Sequence, residues 1–194
     1  MRDLPPLDIP PGPIRLGDID ARQYDDAQRR AAASLISSPR GEVRGPFMAM
    51  LRSPELTDRT QQLGAFLRYR CSVPERLREW TILITARIWQ QTFEWAVHAP
   101  LALAAGVSAT AIVALAGGRE PVEAAPDERA IYAFAHDLHC AHFVSDDVYG
   151  EVLDLLGEHG VVELVGLCGY YAMLAMTMNV ARTPFPGAPF AIPG

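Results

Sequence analysis

Apolar side chains recur along this chain at helical spacing. Ile131, Phe134, Ala135 and Leu138 follow i, i+3, i+4, i+7, and Val148, Val152, Leu155 and Leu156 follow i, i+4, i+7, i+8. Leu77, Trp80, Leu83, Ile84 and Ile88 make a third stripe. Each places its apolar positions on one face of an amphipathic helix. Sustained period-two alternation is missing, as are Asn-Gly and Asp-Gly hairpin signals. The pattern predicts an all-α domain with helices over 20–37, 54–71, 73–90, 92–105, 108–117, 127–141, 145–157 and 160–181.

Start signals agree with the stripes. Ser53-Pro54 offers an N-cap followed by proline at the first helical position. Ser72-Val73-Pro74-Glu75 reads as a capping box in which Glu75 reaches back to the Ser72 amide, and Ser108 and Ser145 can cap two further helices. Gly117-Gly118 and Arg119 to Pro126 read as a surface connector between helical halves. Each half has a long apolar helix entered by an acid, Glu79 or Glu163, a weak hint of a repeat.

Prolines gather at both ends: Pro5, Pro6, Pro10, Pro11 and Pro13, then Pro184, Pro186, Pro189 and Pro193. The expected organisation is an extended arm over 1–19, a helical domain over 20–181 and an extended tail over 182–194. The arms carry Leu4, Leu7, Ile9, Phe185, Phe190 and Ile192, which gain little in water, and packing across a neighbouring subunit is the expected solution. The run Leu164 to Val180 holds no charge but is short for a membrane span and is interrupted by glycines, tyrosines and Asn179, so it reads as a buried core helix. The first seven residues contain no apolar run, so no secretory signal is expected.

Composition narrows the chemistry. All 17 residues in the Lys+Arg count are arginines. The chain therefore lacks the amine needed for a Schiff base, a pyridoxal-phosphate anchor or a P-loop lysine. Its formal net charge of −6 argues against a general nucleic-acid or anionic-membrane surface. Cys71, Cys140 and Cys168 form neither a C-x-x-C pair nor a Cys/His zinc pattern, consistent with a reduced, cytoplasmic protein and three small buried thiols.

The densest polar cluster in an apolar setting runs from Glu79 to His98, EWTILITARIWQQTFEWAVH. Glu94 and His98 stand i, i+4 and can hydrogen-bond, with Gln91 and Trp95 beside them. A carboxylate that orients an imidazole makes a general acid/base unit, although the same pair is often purely structural. On one straight helix Glu79 would lie about 18 Å from Gln91. A break at Gln90-Gln91-Thr92, with Thr92 as N-cap, is therefore required for Glu79 to fold back over the pair or to meet one from another subunit. His136, His139 and His142 drift around a helix, so two can share a metal but three do so poorly, and no metal site is expected there.

The run from Arg78-Glu79 through ILITARIWQQ to FEWAVHAPLALAAGVS resembles the carboxymuconolactone decarboxylase family, within the alkylhydroperoxidase D-like superfamily. DLHCAHFVSDDVYGEVLDLLGEHGVVELVGLCGYYAMLAMTMN is similar to the larger members that lack the redox motif. The resemblance covers about residues 42 to 187. It implies a single all-α domain of seven or eight helices and trimers or hexamers. The redox members carry a glutamate, a C-x-x-C pair and a histidine. Matching by spacing places Glu79 on the glutamate, Gln91 and Glu94 on the two cysteines, and His98 on the histidine. Dithiol peroxidase activity, which needs two thiols in exchange distance, is not expected.

The remaining resemblance is to the decarboxylase branch, which works without a cofactor. It implies proton transfer on a small carboxylated lactone or β-keto-type acid, as in aromatic-compound catabolism. His98 is then the general acid/base, as an imidazolium that protonates the dienolate carbon left by CO2 loss. Glu94 is its orienting partner and Glu79 a second acid/base or a polarising group. Gln91, Trp95, Arg87 and Tyr171 are candidate substrate contacts, with Arg87 holding a carboxylate. The alternative is a protein of the same fold that binds a small ligand or assembles without turnover.

Overall fold

The computed structural model describes residues 2–185 and 187–191. Pro186, Ile192 and Pro193, named above as parts of the tail, lie outside the described residues, as do Met1 and Gly194. Eight α-helices follow in order: α1 (Asp26–Ser37), α2 (Pro46–Met50), α3 (Pro54–Tyr69), α4 (Glu75–Ile88), α5 (Thr92–Ala104), α6 (Ala109–Ala116), α7 (Pro126–His136) and α8 (Asp146–Ala181). No strand occurs among the described residues. The domain is all-α, as the periodicity requires.

Helix α4 is the centre of the packing and lies against α5, α7 and α8. Its residues Leu77, Trp80, Leu83, Ile84 and Ala86 enter the main core with Trp95, Ile112, Leu115, Ile131, Phe134 and Leu164. A second core, built from Leu35, Phe47, Met50, Leu67, Ile82, Leu167, Tyr170, Tyr171 and Leu174, joins the N-terminal helices to α8. Ile82 lies between Leu83 and Trp80 in sequence yet faces this other cluster, so α4 is apolar on two sides. Buried Glu128 ties three elements together, accepting from Arg76 at 2.8 Å and from the Ser108 amide at 3.1 Å.

Several boundaries differ from the expectation. The first predicted helix starts later, at Asp26, because Asp25 caps it through the Gln28 amide; residues 21–23 form a single 3-10 turn. The short α2, held by Pro46 at its start, has too few residues for a readable period. The capping box at Ser72 does not form. Pro74 is the N-cap of α4, and Glu163 of α8 accepts the Ser72 hydroxyl at 2.6 Å as well as its amide. A long-range carboxylate thus replaces the local one. Beyond His136, α7 widens into a π turn over Asp137–Ala141 that ends at His142 in the left-handed region.

Gly157 interrupts α8 with φ of 68°, near the expected boundary between two helices. Among the described residues α8 is the one helix long and apolar enough to cross a membrane, but 61% of its apolar window is buried against the rest of the domain. That is the placement of a core helix.

The arms fold onto their own chain. The Leu4 amide donates to Gly118 O at 2.7 Å and its side chain enters the main core, while the Arg15 amide reaches Ala181 O. Phe190 joins the same core from the tail. Packing across a neighbour is thus not needed to bury Leu4 or Phe190, though Leu7, Ile9 and Ile14 remain exposed.

Candidate active site

The site is organised by the chain break after α4. Gln90 adopts φ of 53°, and Gln91 caps α5 by accepting the Phe93 amide at 2.8 Å. The required break is present, with Gln91 rather than Thr92 as the N-cap. It turns α5 back along α4 and brings Glu79, about three turns before the break, against His98.

His98 Nδ1 lies 2.6 Å from Glu79 Oε2, and both residues are buried. The ring N–H donates to the carboxylate, which leaves Nε2 as the free nitrogen. The expected Glu94–His98 hydrogen bond is absent. Both Glu94 oxygens are buried without a hydrogen-bond partner among the described residues. Glu79 therefore takes the orienting position assigned to Glu94, because the α4–α5 hairpin brings it within hydrogen-bond distance of Nδ1.

A cavity of about 280 Å³ opens beside these groups. Glu94, His98 and Tyr171 line it, together with Phe47, Arg40 and Arg68. The Tyr171 ring meets His98 edge to face at 5.3 Å. Arg44, at the rim, is paired with Glu42 at 3.2 Å.

Burial controls the protonation of the site. Desolvation pushes the Glu94 carboxyl well above its ordinary value, because burial penalises the charged form, so the protonated acid is favoured over a wider pH range than for an exposed carboxyl. Desolvation also lowers the His98 pKa; Glu79 opposes this without cancelling it, and Arg68 and Arg40 add to the lowering. His98 is accordingly neutral near pH 7. Burial likewise raises the Tyr171 phenol, which stays protonated.

Three expected substrate contacts lie elsewhere. Gln91 has both ends of its amide engaged, by Phe93 N and by Asn179 Oδ1 at 2.8 Å, and faces a separate groove formed with the N-terminal arm. Trp95 is buried under the tail, donating to Ala191 O and meeting Phe190 edge to face at 5.1 Å. Arg87 reaches Ala116 O and Pro5 O and lies over the Phe190 ring, so it secures the arm and does not hold a ligand in the cavity. Being eight residues beyond Glu79, it sits two turns further along α4. Arg40 and Arg68 occupy the cavity wall instead. No spacing linked them to His98 in sequence, although the absence of lysine meant that any such cation would be an arginine.

The histidine run at the end of α7 serves local structure. His139 Nε2 is 3.2 Å from Thr85 Oγ1, His136 is bonded to Asp137, and Asp137 pairs with Arg2 at 2.8 Å. No group of three potential ligands able to hold a metal is found among the described residues. The three cysteines are unbonded, and Cys140 is exposed on the π turn, contrary to the buried placement expected for all three.

The model of the carboxymuconolactone decarboxylase family matches residues 54–137, which span α3 to the end of α7 and include Arg68, Glu79, Glu94 and His98. The match covers 84 of the 194 residues, and over this segment the chain is similar to that family. None of the curated proteins or solved structures compared with the chain matches it. The family segment supplies the Glu79–His98 pair and Glu94, while Arg40 comes from the α1–α2 connection, Phe47 from α2 and Tyr171 from α8.

Proposed function

We propose that this carboxymuconolactone decarboxylase-like chain is a cofactor-independent enzyme that transfers protons on a small carboxylated lactone or β-keto-type acid, with decarboxylation as its reaction. The observation that carries this reading is a pair of buried groups on one cavity wall: Glu94, whose oxygens have no partner among the described residues, and the His98 imidazole, oriented by Glu79 at 2.6 Å.

In the proposed reaction the C–CO2 bond breaks and its electron pair passes into a conjugated carbonyl, giving CO2 and a dienolate. Glu94 donates its proton to the carbanionic carbon and is left as a carboxylate, which regains a proton from solvent. His98 Nε2 accepts a hydrogen bond from the substrate or takes a proton during enolisation, held in register by Glu79. This exchanges the expected roles: a buried neutral carboxyl replaces an imidazolium as the acid. Tyr171 and Phe47 exclude water from the intermediate.

We also propose that the chain acts in the cytoplasm as a homo-oligomer, trimeric or hexameric as the family resemblance implies. The exposed face of α8 supports self-association: Val162, Val165, Met176 and Val180 form an uncharged stripe at helical spacing. The gene's activity would then fall within aromatic-compound catabolism.

Incubation with carboxymuconolactone and with simpler β-keto and vinylogous acids in D2O, followed by ¹H NMR, tests the reading. An enzyme releases CO2 and places deuterium at the carbon that carried the carboxylate. Saturable binding of these acids with neither change would instead identify a ligand-binding protein.

A further inference from the structure

The cavity holds two cations that the proton-transfer chemistry does not use. Arg40 and Arg68 both line it, and neither has a carboxylate partner among the described residues. The Nε of each is buried without a hydrogen-bond partner. Partly buried guanidiniums of like charge are costly to hold together unless an anion joins them.

Arg40 is nonetheless held in place with care. Its guanidinium donates to Tyr170 Oη at 3.1 Å and lies over the Phe47 ring at 4.6 Å from the ring centre. It also packs directly on Gly64, in the middle of α3. A Cβ at position 64 would stand 2.4 Å from an Arg40 terminal nitrogen and 2.0 Å from the Tyr170 hydroxyl. Glycine weakens a helix interior, so its presence here has a local reason: it admits the Arg40–Tyr170 pair. Arg68 is one helical turn beyond Gly64 on the same face of α3, and it lines the same cavity as Arg40. Both act electrostatically on His98, lowering its proton affinity, so the pair looks toward the same space as the reacting groups.

We propose that Arg40 and Arg68 form a two-guanidinium seat for a substrate carboxylate, with Gly64 and Tyr170 as positioning residues for Arg40. Guanidinium matches carboxylate geometry with paired N–H donors, and a neutral isostere cannot replace the charge. The seat suits a carboxylate that stays on the product. Binding the leaving carboxylate as tightly would stabilise the ground state and slow its loss. Arg40 lies outside the segment matched by the family, so the preference it confers belongs to this chain's own α1–α2 connection.

The proposal rests on the reading above for what the seat serves, but its test reads binding without turnover. Furan-2-carboxylate and furan-2-carboxamide are titrated by calorimetry into the full chain and into Arg40→Gln, Arg68→Gln, Gly64→Ala and the surface control Arg59→Gln. The carboxylate binds the parent and the control equally. The amide binds about tenfold more weakly or worse, and Arg40→Gln and Arg68→Gln each lose about tenfold or more for the carboxylate. Gly64→Ala reproduces the Arg40→Gln loss while keeping its helical circular dichroism. NMR titration of His98 gives a second readout, because removing either guanidinium raises its midpoint. No carboxylate binding to the parent, equal binding of acid and amide, or parent-like binding by both arginine variants would overturn the seat. Carboxylate binding through the pair with no turnover of any keto acid would leave the seat standing and defeat the decarboxylase reading alone.

Discussion

Glu79 Oε2 lies 2.6 Å from His98 Nδ1, joining two residues 19 apart in sequence across the α4–α5 hairpin. The contact engages Nδ1 and leaves Nε2 free in a ring that lines the cavity. Its value is in orientation, so Glu79→Gln, which keeps the shape but can present its NH2 to Nδ1, should cut turnover by about 10²-fold with little change in KM. Glu79→Ala should also destabilise the fold by about 1–3 kcal/mol, since it leaves a buried ring nitrogen unpaired. Steady-state kinetics and thermal melts of the two variants check both statements.

The protonation states predict a pH profile. The active form needs His98 neutral and Glu94 protonated. The rate should climb as pH rises through a His98 midpoint below its ordinary value of 6.5. It should fall again as Glu94 loses its proton at a midpoint well above its ordinary 4.5. In Glu94→Gln the alkaline limb should vanish together with most of the activity. A profile of kcat/KM against pH for the parent, with residual activity in the variant, reads both limbs.

The same carboxyl leaves a mark on stability. Because the folded-state pKa of Glu94 is raised, its protonated form favours folding at pH below the unfolded value, and that contribution is lost as pH rises through the folded one. Glu94→Gln removes the loss. Its melting temperature should exceed that of the parent by a margin that grows toward alkaline pH; equal slopes for the two proteins would show that Glu94 is not held as a neutral acid.

Self-association through α8 makes a separate prediction. Val165→Glu and Met176→Arg place charges within the exposed stripe without touching the cavity. Light scattering at micromolar concentration should give a multiple of 21.2 kDa for the parent and a smaller species for the double variant. A parent of monomeric mass would refute the proposed assembly.

Much of this architecture was legible in the residue pattern because long amphipathic helices carry their period openly. The stripes in α4, α7 and α8 and the break at Gln90–Gln91 are examples. The break followed from distance alone, since a straight helix could not bring Glu79 near α5. The five-residue α2 was too short to show a period, and the Ser72 cap failed because Glu163, distant in sequence, competes for the same amide. The cluster at 79–98 located the chemistry but misplaced its partners. Spacing favoured Glu94 for His98, whereas the tertiary fold supplied Glu79. Arg87 was the candidate cation under the decarboxylase resemblance, yet the cavity takes Arg68 from α3 and Arg40 from the loop before α2. Their convergence depends on Gly64 making room, and a single glycine in a helix does not announce what fills its space.

The most direct test of proton transfer at this site is ¹H NMR in D2O with a carboxylated lactone or β-keto acid, run side by side on the parent and on His98→Ala. The parent should release CO2 and incorporate deuterium at the decarboxylated carbon, and His98→Ala should be slower by about 10²-fold or more while retaining its fold. A folded His98→Ala that matches the parent's rate on a confirmed substrate would contradict the account.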